Sequence, residues 1–405
     1  MDRPGTLYTL DLSATTREAR PGIPAGHMVA AEQFVLADNP AQATDHGTAK
    51  FKVKENTRTI SLSTARASLT FDKRTGVISS FKAGGAEYIQ DGFGFRPNFW
   101  RGPTDNDYGN KLNIRAEEWK EFSYSPKVRS AKATRDGNDS ASITVEYAPD
   151  CTLCYTLYAD GTLHVSADLE ALPIPEFQPS RVLDGPGMRQ NPDADPAQRE
   201  RELAEFHAWT ASVQKMEYDR WMSANFNLPR FGLRLHLPAA YHNIEYLGRG
   251  PEENYWDRKT GSPIGLYRTT AEEMYFPYVR PQETGHRTDV RRILLTDDRG
   301  QGLCILADGT LEFNALRNSV EDFDSEQSTH PGQINYYDNH DVDVTGGRRQ
   351  THINDIVPRN FVELCLDELM MGVGGDNSWG APINSKYLIE TNVPRHFGFT
   401  VMPVR

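Results

Sequence analysis

Residues 68–81 read Ser68-Leu69-Thr70-Phe71-Asp72-Lys73-Arg74-Thr75-Gly76-Val77-Ile78-Ser79-Ser80-Phe81. Apolar and polar side chains alternate before and after the four-residue segment Lys73-Arg74-Thr75-Gly76. Alternation with a period of two is typical of a strand with one buried face, and the polar, glycine-ending segment is typical of a turn. The stretch therefore predicts two short strands joined by a turn.

Similar runs recur along the chain at short intervals. Residues 141–147 and 163–169 alternate in the same way, and Asp160-Gly161 is a hairpin signal between Tyr158 and Thr162. Many short strands separated by turn residues predict an all-β sandwich or barrel-like fold. Because no repeated strand–helix pattern is present, we expect neither a TIM barrel nor a Rossmann sheet.

Composition limits the classes of partner. At 405 residues the chain is long enough for two or three domains, or for one large all-β domain. The formal net charge of −12 argues against nucleic acid or an anionic membrane as the main partner. No apolar run approaches the roughly 20 residues of a membrane span, and residues 1–5 lack a signal pattern. We expect a cytoplasmic protein, or a periplasmic one if a signal peptide lies upstream in a longer parent.

The four cysteines do not form a metal or redox motif. Cys151 and Cys154 make a C-x-x-C pair on a predicted strand, where residues three apart point to opposite faces. No second such pair completes a zinc site. Cys304 and Cys365 lie in apolar, strand-like runs. We expect all four to be small, buried apolar side chains, and we predict no metal site from the histidines His330, His340 and His352, which lack ligand spacing.

Two segments depart from the dominant strand pattern. Residues 8–12 and 28–36 predict two strands joined by a Pro/Gly-rich loop, which is a marginal unit by itself. Residues 180–196 are rich in loop-forming residues, and residues 197–221 carry apolar side chains near a 3.6-residue period. The second segment predicts a helical insertion over about residues 180–224.

A glycine-rich stretch follows the strand-like run 361–366 and reads Met371-Gly372-Val373-Gly374-Gly375-Asp376-Asn377-Ser378-Trp379. Glycines permit backbone angles that other residues resist, so such a turn can hold one aromatic side chain in a fixed outward position. An exposed indole packs well against the C–H face of a sugar ring. The alternative interpretation is that Trp379 belongs to the core, since tryptophan is mostly buried on average.

Three long segments combine glycine, proline, aromatic and charged residues. Residues 96–109 read Arg96-Pro97-Asn98-Phe99-Trp100-Arg101-Gly102-Pro103-Thr104-Asp105-Asn106-Asp107-Tyr108-Gly109. Residues 248–258 read Gly248-Arg249-Gly250-Pro251-Glu252-Glu253-Asn254-Tyr255-Trp256-Asp257-Arg258, continuing at residues 274–283 with Met274-Tyr275-Phe276-Pro277-Tyr278-Val279-Arg280-Pro281-Gln282-Glu283. The stretch ending at Trp379 is the third. In order and spacing, these three segments together resemble the C-terminal region of a glycoside hydrolase family 2 β-galactosidase, and the resemblance covers about residues 47–405.

The resemblance implies a fold and a role. Residues 47–405 would form a large antiparallel β supersandwich, similar to the galactose-mutarotase-like domains, and residues 1–46 the last strands of an immunoglobulin-like domain. The domain would complete a substrate cleft built mainly by a catalytic TIM barrel, in cis or in trans, for hydrolysis of terminal β-D-galactosides such as lactose. Trp379 would be the aromatic platform for the non-galactose half, and Gly109 the hinge of a mobile loop, residues 109–113.

The acid and the nucleophile are expected elsewhere. Retaining glycosidases use two carboxyl groups about 5–5.5 Å apart. In the family these glutamates belong to the upstream barrel, and no Glu segment here matches their motifs, so we expect the chain alone to be inactive. Asp105 and Asp107 are kept as candidate substrate residues, although a turn, or a salt bridge with Arg101, is the favoured interpretation. The resemblance implies magnesium and sodium in the complete enzyme, with ligands mostly outside this chain, and no cofactor held here.

Three identities remain open at this point. The chain could be a piece of a longer enzyme, or a natural small subunit that requires a large subunit. It could also be a free-standing sugar-binding or mutarotase-like protein. Mutarotation needs a histidine and a glutamate converging on the anomeric carbon, and the sequence does not place such a pair, so this alternative ranks last.

Overall fold

Antiparallel strands are the main secondary structure of the computed structural model. It describes residues 3–39, 44–148, 150–174, 176–179, 195–225, 227–324, 352–377 and 381–404. Every strand pairing among these residues is antiparallel. The all-β supersandwich predicted from the sequence is confirmed.

The strands are β1 Leu7–Thr15, β2 Met28–Asp38, β3 Lys52–Glu55, β4 Thr59–Ser63, β5 Ala67–Asp72, β6 Val77–Ala83, β7 Ala86–Glu87, β8 Arg96–Asn98, β9 Lys127–Asp136, β10 Ser140–Ala148, β11 Cys151–Tyr158, β12 Leu163–Leu169, β13 Asn227–Leu228, β14 Arg230–Pro238, β15 Asn243–Arg249, β16 Ile264–Thr270, β17 Arg287–Thr296, β18 Gly302–Leu316, β19 Phe361–Met370, β20 Ile389–Glu390 and β21 Arg395–Val404. The α-helices are α1 Asp105–Gly109, α2 Leu112–Arg115, α3 Glu117–Tyr124 and α4 Pro196–Asn225. Short 3-10 helices lie at Val320–Phe323, Ile353–Asp355 and Ser385–Tyr387.

One large sheet organises the molecule. Its main path runs β16-β15-β17-β18-β21-β12-β11-β10-β9, with β19, β14 and β8 branching from β18. The branch exists because β18 changes partner along its length: its first part pairs with β21, and Glu312 to Leu316 pair with β19. A separate five-stranded sheet runs β3-β4-β5-β6-β7. Side chains of both sheets belong to one buried apolar cluster.

The hairpin predicted at residues 68–81 is confirmed as β5 and β6. The Asp72 carboxylate closes its turn by accepting hydrogen bonds from the amides of Arg74 and Thr75, at 2.8 and 3.1 Å. Gly76 has a φ of +71°, and a Cβ there would lie 2.9 Å from Val128. Both the left-handed backbone and the space therefore require glycine.

The centre of the large sheet shows the period-two pattern directly. Buried and half-buried positions alternate along β11 and β12, and Asp160-Gly161 joins these strands. Cys151 and Cys154 lie on opposite faces, as the strand geometry predicts, but Cys154 and Cys304 are half-buried, so the expectation that all four cysteines are buried is wrong for these two. Burial raises the pKa of the Cys151 thiol well above its usual range, which is expected of an inert, apolar cysteine.

The N-terminal strands β1 and β2 form a two-stranded sheet of their own. Gln33 ties this hairpin to the large sheet: its side-chain amide donates to the carbonyl of Ile264 at 3.0 Å and accepts from the Ile264 amide at 2.7 Å. An ion pair between Asp38 and Arg291 adds a second attachment at 2.6 Å. Large apolar side chains on the hairpin remain exposed, among them Leu10, Leu12, Met28, Val29, Phe34, Val35 and Leu36.

The helix predicted over residues 197–221 is confirmed as α4. None of its described side chains belongs to the apolar core, and Leu203 and Met216 are exposed. Phe177 packs near the helix, with its ring 5.3 Å from that of Trp221. Although α4 has 30 residues, no helix in the described part of the chain is both long and apolar enough to cross a membrane.

Candidate functional site

The three sequence segments of the resemblance converge on one backbone turn, residues 371–377, which we call the glycine turn. The turn follows the end of β19. It is buried at Met371 and Gly372 and exposed at Gly375, Asp376 and Asn377. Gly374 and Gly375 have φ angles of +69° and +112°. Because L side chains rarely adopt such angles, the glycines allow the chain to turn outward here.

Asp257, from the second segment, holds the first half of the glycine turn. Its two carboxylate oxygens accept hydrogen bonds from successive backbone amides, those of Val373 at 3.0 Å and Gly374 at 2.8 Å. Gly372 makes this approach possible, since a Cβ there would lie 2.6 Å from the Asp257 carboxyl carbon. Two consecutive N–H groups directed at one carboxylate form a compact anion-binding arrangement.

Arg101, from the first segment, holds the carbonyl side of the same turn. Its guanidinium donates to the carbonyl of Met371 at 2.7 Å and to that of Gly372 at 3.0 Å. Asp107 fixes this guanidinium from the other side through two hydrogen bonds, of 3.0 and 2.9 Å. Both charged side chains are fully buried. The predicted salt bridge with Arg101 is therefore confirmed for Asp107.

Helix α1 brings the remaining first-segment residues to the glycine turn. Thr104 caps α1, with its hydroxyl accepting from the Asp107 amide and the Asp107 carboxylate accepting from the Thr104 amide. This reciprocal capping box starts the helix at Asp105. Asn106 then donates from its side chain to the Val373 carbonyl at 3.2 Å.

Asp105 and Asp107 lie in a helix rather than in a strand, so they do not share a face as strand geometry would place them. Asp105 is exposed and pairs with Arg280 at 2.9 Å, whereas Asp107 is buried against Arg101. The two carboxylates therefore form no catalytic dyad. Contact of either one with a sugar stays a prediction.

The segment from Gly109 to residue 113 contains a short turn between two helices. Gly109 ends α1 and is half-buried, and α2 begins at Leu112. Between them Lys111 has a φ of 63°, an unusual angle for a residue with a side chain. The hinge role of Gly109 stays a prediction.

A second layer of buried, charged side chains lies next to the site. Glu283, at the end of the second segment, accepts from the Gly102 amide at 3.1 Å and from the Arg230 guanidinium at 2.7 Å. Arg230 also faces Asp367, with 3.2 Å between Nε and Oδ2. Burial holds the pKa of the Asp367 carboxyl well above its usual range. This layer links the first two segments through charge that is almost completely removed from solvent.

His286 and Glu312 form a buried pair beside this layer, with 2.9 Å between Nε2 and Oε2. Burial lowers the pKa of His286 to about 3 and raises the pKa of Glu312 to about 8. At neutral pH both groups are therefore uncharged. Because His286 is 0% exposed and Glu312 4%, neither reaches a sugar in this conformation.

Several candidates lie outside the described residues. These are Trp379, His330 and His340. His352 is described and precedes the 3-10 helix Ile353–Asp355. Within the described ranges, no group of three or more His, Cys, Asp or Glu side chains is arranged to hold a metal ion.

Sequence reasoning did not identify the residues that hold the glycine turn. Arg101 was considered only as a partner of the neighbouring aspartates, and Asp257 and Asn106 were not singled out. Asp257 is separated from Val373 by 116 positions, and Asn106 by 267. The available signal was the presence of all three in segments shared with one family.

Comparison with solved structures gives only loose overlaps. The chain is similar to a putative mutarotase (YeaD) from Salmonella typhimurium, with a TM-score of 0.35, 9% identity, and coverage of 88% of this chain and 94% of that chain. It is also similar to galactose 1-epimerase from Lactobacillus acidophilus, with a TM-score of 0.36, 8% identity, and coverage of 88% and 100%. The fold assignment therefore rests on the strand pairing described above.

Sequence comparisons are more specific. The family model described as "Beta galactosidase small chain" matches residues 63–401. A β-galactosidase from Priestia megaterium is 30% identical over 98% of this chain and 32% of the relative, and one from Halalkalibacterium halodurans is 26% identical over 97% and 32%. The chain thus spans about a third of the length of these relatives. Because the family model covers most of the chain, the chain belongs to the β-galactosidase small-chain family.

Proposed function

We propose that this chain is the C-terminal domain of a glycoside hydrolase family 2 β-galactosidase and that it completes the substrate cleft. A catalytic TIM barrel, in cis or in trans, supplies the acid and the nucleophile. This chain supplies one wall, on which Trp379 stacks against the non-galactose half of a β-galactoside such as lactose.

The observation that carries the proposal is the convergence of three distant segments on the glycine turn. Arg101, Asn106 and Asp257 all form hydrogen bonds with the backbone of residues 371–374. The exposed part of the turn, which ends at Asn377, therefore continues from a backbone that is held in place. Trp379 follows two positions later. These hydrogen bonds to the backbone of the turn, together with the buried ion pair of Arg101, would hold one side chain of a cleft wall in a fixed position.

The chemistry assigned to this chain is binding and positioning. A single indole stacked on a sugar contributes little affinity by itself, because association costs translational and rotational freedom. The indole gains value when other walls already hold the ligand, since orientation of the substrate lowers the barrier for the attacking and departing groups. Proton transfer and nucleophilic attack belong to the partner domain. This assignment fits a chain whose carboxylates at the site form hydrogen bonds with its own backbone and side chains.

The test is hydrolysis of a chromogenic β-galactoside by the purified chain, with and without a β-galactosidase large fragment that lacks this region. We expect no activity from the chain alone, activity on mixing, and weaker rescued activity with Trp379→Ala. Activity from the chain alone would contradict the proposal, and the first variants to make would then be at Asp105, Asp107, Glu252 and Glu253.

A natural small subunit is the second candidate, favoured by the family's description as a small chain. In that case rescue should occur with a separately expressed large subunit at native-like affinity. The mutarotase-like alternative ranks below both. His286 and Glu312 are the type of pair that mutarotation needs, yet they are sealed from solvent. Interconversion of galactose anomers by the purified chain, followed by polarimetry, would reverse this ranking.

A further inference from the structure

We propose that Asp257 is the positioning residue of this cleft wall: it acts on substrate binding by fixing the glycine turn, without touching the sugar. The inference rests on the proposed function and adds a residue to it. The inference is based on one carboxylate that binds two successive backbone amides, those of Val373 and Gly374, where the turn passes from its buried to its exposed part.

The contact binds the two amides of the turn that Arg101 and Asn106 do not bind. Arg101 bonds the carbonyls of the buried residues Met371 and Gly372, and Asn106 bonds the carbonyl of Val373. The amides of Val373 and Gly374 are bonded by Asp257 instead. Asp257 therefore sets the direction in which the chain continues toward Gly375 and the exposed tip.

A carboxylate is better suited to this place than a neutral side chain. Two N–H groups need two acceptor oxygens, and an ionised Asp257 offers both. An asparagine would direct its own NH2 group at one of the two amides. The match is also steric, since the carboxylate fills space that a Cβ on Gly372 would occupy.

Asp257 also connects the glycine turn to a neighbouring groove. It lies on the wall of a surface groove of about 580 Å³, formed by the segment that follows β15. Residues of that segment up to Arg258 belong to the second sequence motif, whereas the turn belongs to the third. Through Asp257, the position of the turn depends on the conformation of the groove wall.

The experiment compares Asp257→Asn and Asp257→Ala with Glu252→Gln as the matched control. Glu252 is an exposed carboxylate on the same groove, and its side chain makes no bond to the turn among those that the structure describes. Each variant is assayed for lactose hydrolysis in the complete enzyme, or in the reconstituted complex. With Asp257→Asn we expect KM to rise about tenfold with kcat within about threefold, the pattern for lost ground-state binding. Glu252→Gln should match the wild type, and Asp257→Glu should recover part of the loss.

Hydrogen exchange at the Val373 and Gly374 amides provides an independent measurement. Asp257→Asn and Asp257→Ala should speed exchange there while leaving β11 unchanged. Unchanged exchange would overturn the anchoring role, and faster exchange with an unchanged KM would overturn the effect on binding. If the wild-type assembly itself fails to hydrolyse galactosides, the proposed function is what fails, because the exchange result is still obtained. A fall in kcat equal to the rise in KM would identify a general structural defect and would also overturn the inference.

Discussion

Arg101 and Asp107 form a buried ion pair at the site. Both are fully buried, and Arg101 also bonds two carbonyls of the glycine turn. Breaking a buried pair by removing one partner typically costs about 3–5 kcal/mol, since the other charge stays desolvated. In the pair between Asp105 and Arg280 the aspartate side chain is 57% exposed and the arginine 15%, so solvent screens this pair more than the fully buried one.

We therefore expect Asp107→Asn to lower the free energy of unfolding by about 3 kcal/mol or more, measured by urea denaturation. Asp105→Asn, two positions away in the same helix, serves as the control and should lower it by less, because the Asp105 side chain is 57% exposed. Equal effects of the two substitutions would mean that the buried pair is no more important than a surface contact.

The His286–Glu312 pair makes stability depend on pH in two opposite ways. For Glu312 the folded pKa of about 8 lies above the ordinary 4.5, so its stabilising contribution is present in acid and is lost as pH rises toward 8. For His286 the folded pKa of about 3 lies below the ordinary 6.5, so stability is lost as pH falls from 6.5 toward 3. Between about 4.5 and 6.5 the two slopes oppose each other.

Above pH 6.5 only the glutamate of this pair contributes to the slope. We expect the difference in unfolding free energy between Glu312→Gln and the wild type to shift by about 1.4 kcal/mol per pH unit near pH 6.5, with the slope falling to about half of that at pH 8, in favour of the variant. The glutamine cannot ionise, but its amide cannot both donate to His286 and accept from Met370 with one atom, so a fixed loss of about 1 kcal/mol accompanies it. Parallel stability curves for the two proteins would contradict a raised pKa at Glu312.

At the scale of elements, the hairpin β1–β2 differs from the strands of the large sheet. It has two strands, mostly exposed apolar side chains, and few attachments to the rest of the molecule. Two-stranded sheets are marginal in water, and local opening is easiest where few apolar contacts are buried. By contrast, β11 has a hydrogen-bonded neighbour on each side.

We expect amides of β1 and β2 to exchange with solvent at least about a hundredfold faster than amides of β11, measured by hydrogen exchange and mass spectrometry. Gln33→Ala should speed exchange in the hairpin further, because it removes both hydrogen bonds to Ile264. Protection of β1 and β2 equal to that of β11 would show that this hairpin is stabilised by interactions beyond those described here.

Helix α4 and strand β19 give a second contrast between elements. Leu203 and Met216 of α4 are 49% and 66% exposed, whereas Leu364 of β19 is fully buried. We expect Leu203→Gln and Met216→Gln to change the free energy of unfolding by less than about 0.5 kcal/mol, because little apolar surface returns to water. Leu364→Ala should cost about 2–5 kcal/mol by leaving a cavity. A loss above about 2 kcal/mol for either α4 variant, in the same urea titration, would place α4 in the folded core.

At the scale of the whole molecule, the proposed function, in which this chain supplies one wall of a cleft, predicts that the chain alone binds sugar weakly. We expect a dissociation constant for lactose in the millimolar range or above, corresponding to about 4 kcal/mol or less of binding free energy. Isothermal titration calorimetry of the purified chain measures it, with Trp379→Ala as the variant that should remove the residual binding. A tight, saturable site would mean that the chain carries a complete pocket of its own.

Much of the architecture was predictable because it depends on local pattern. The spacing of apolar residues and the chemistry of turn residues were sufficient to predict four features. These are the turn at residues 73–76, the Asp160-Gly161 hairpin, the opposite faces of Cys151 and Cys154, and the long helix. The helical state of Asp105 and Asp107 was missed. Their capping box depends on Thr104 acting with Asp107, and that signal was outweighed by the resemblance of Pro103-Thr104-Asp105 to an open turn.

The sequence by itself determined the antiparallel all-β class and the three segments that mark the site, because alternation and turn residues act over a few neighbouring positions. Only the tertiary structure decided that these segments meet at residues 371–377, with Asp257 on the amides and Arg101 on the carbonyls. It also decided that His286 and Glu312 form a buried pair. Such contacts join residues far apart in the chain, and their partners are selected by strand register and by the need to satisfy buried polar groups, neither of which leaves a periodic trace in the sequence.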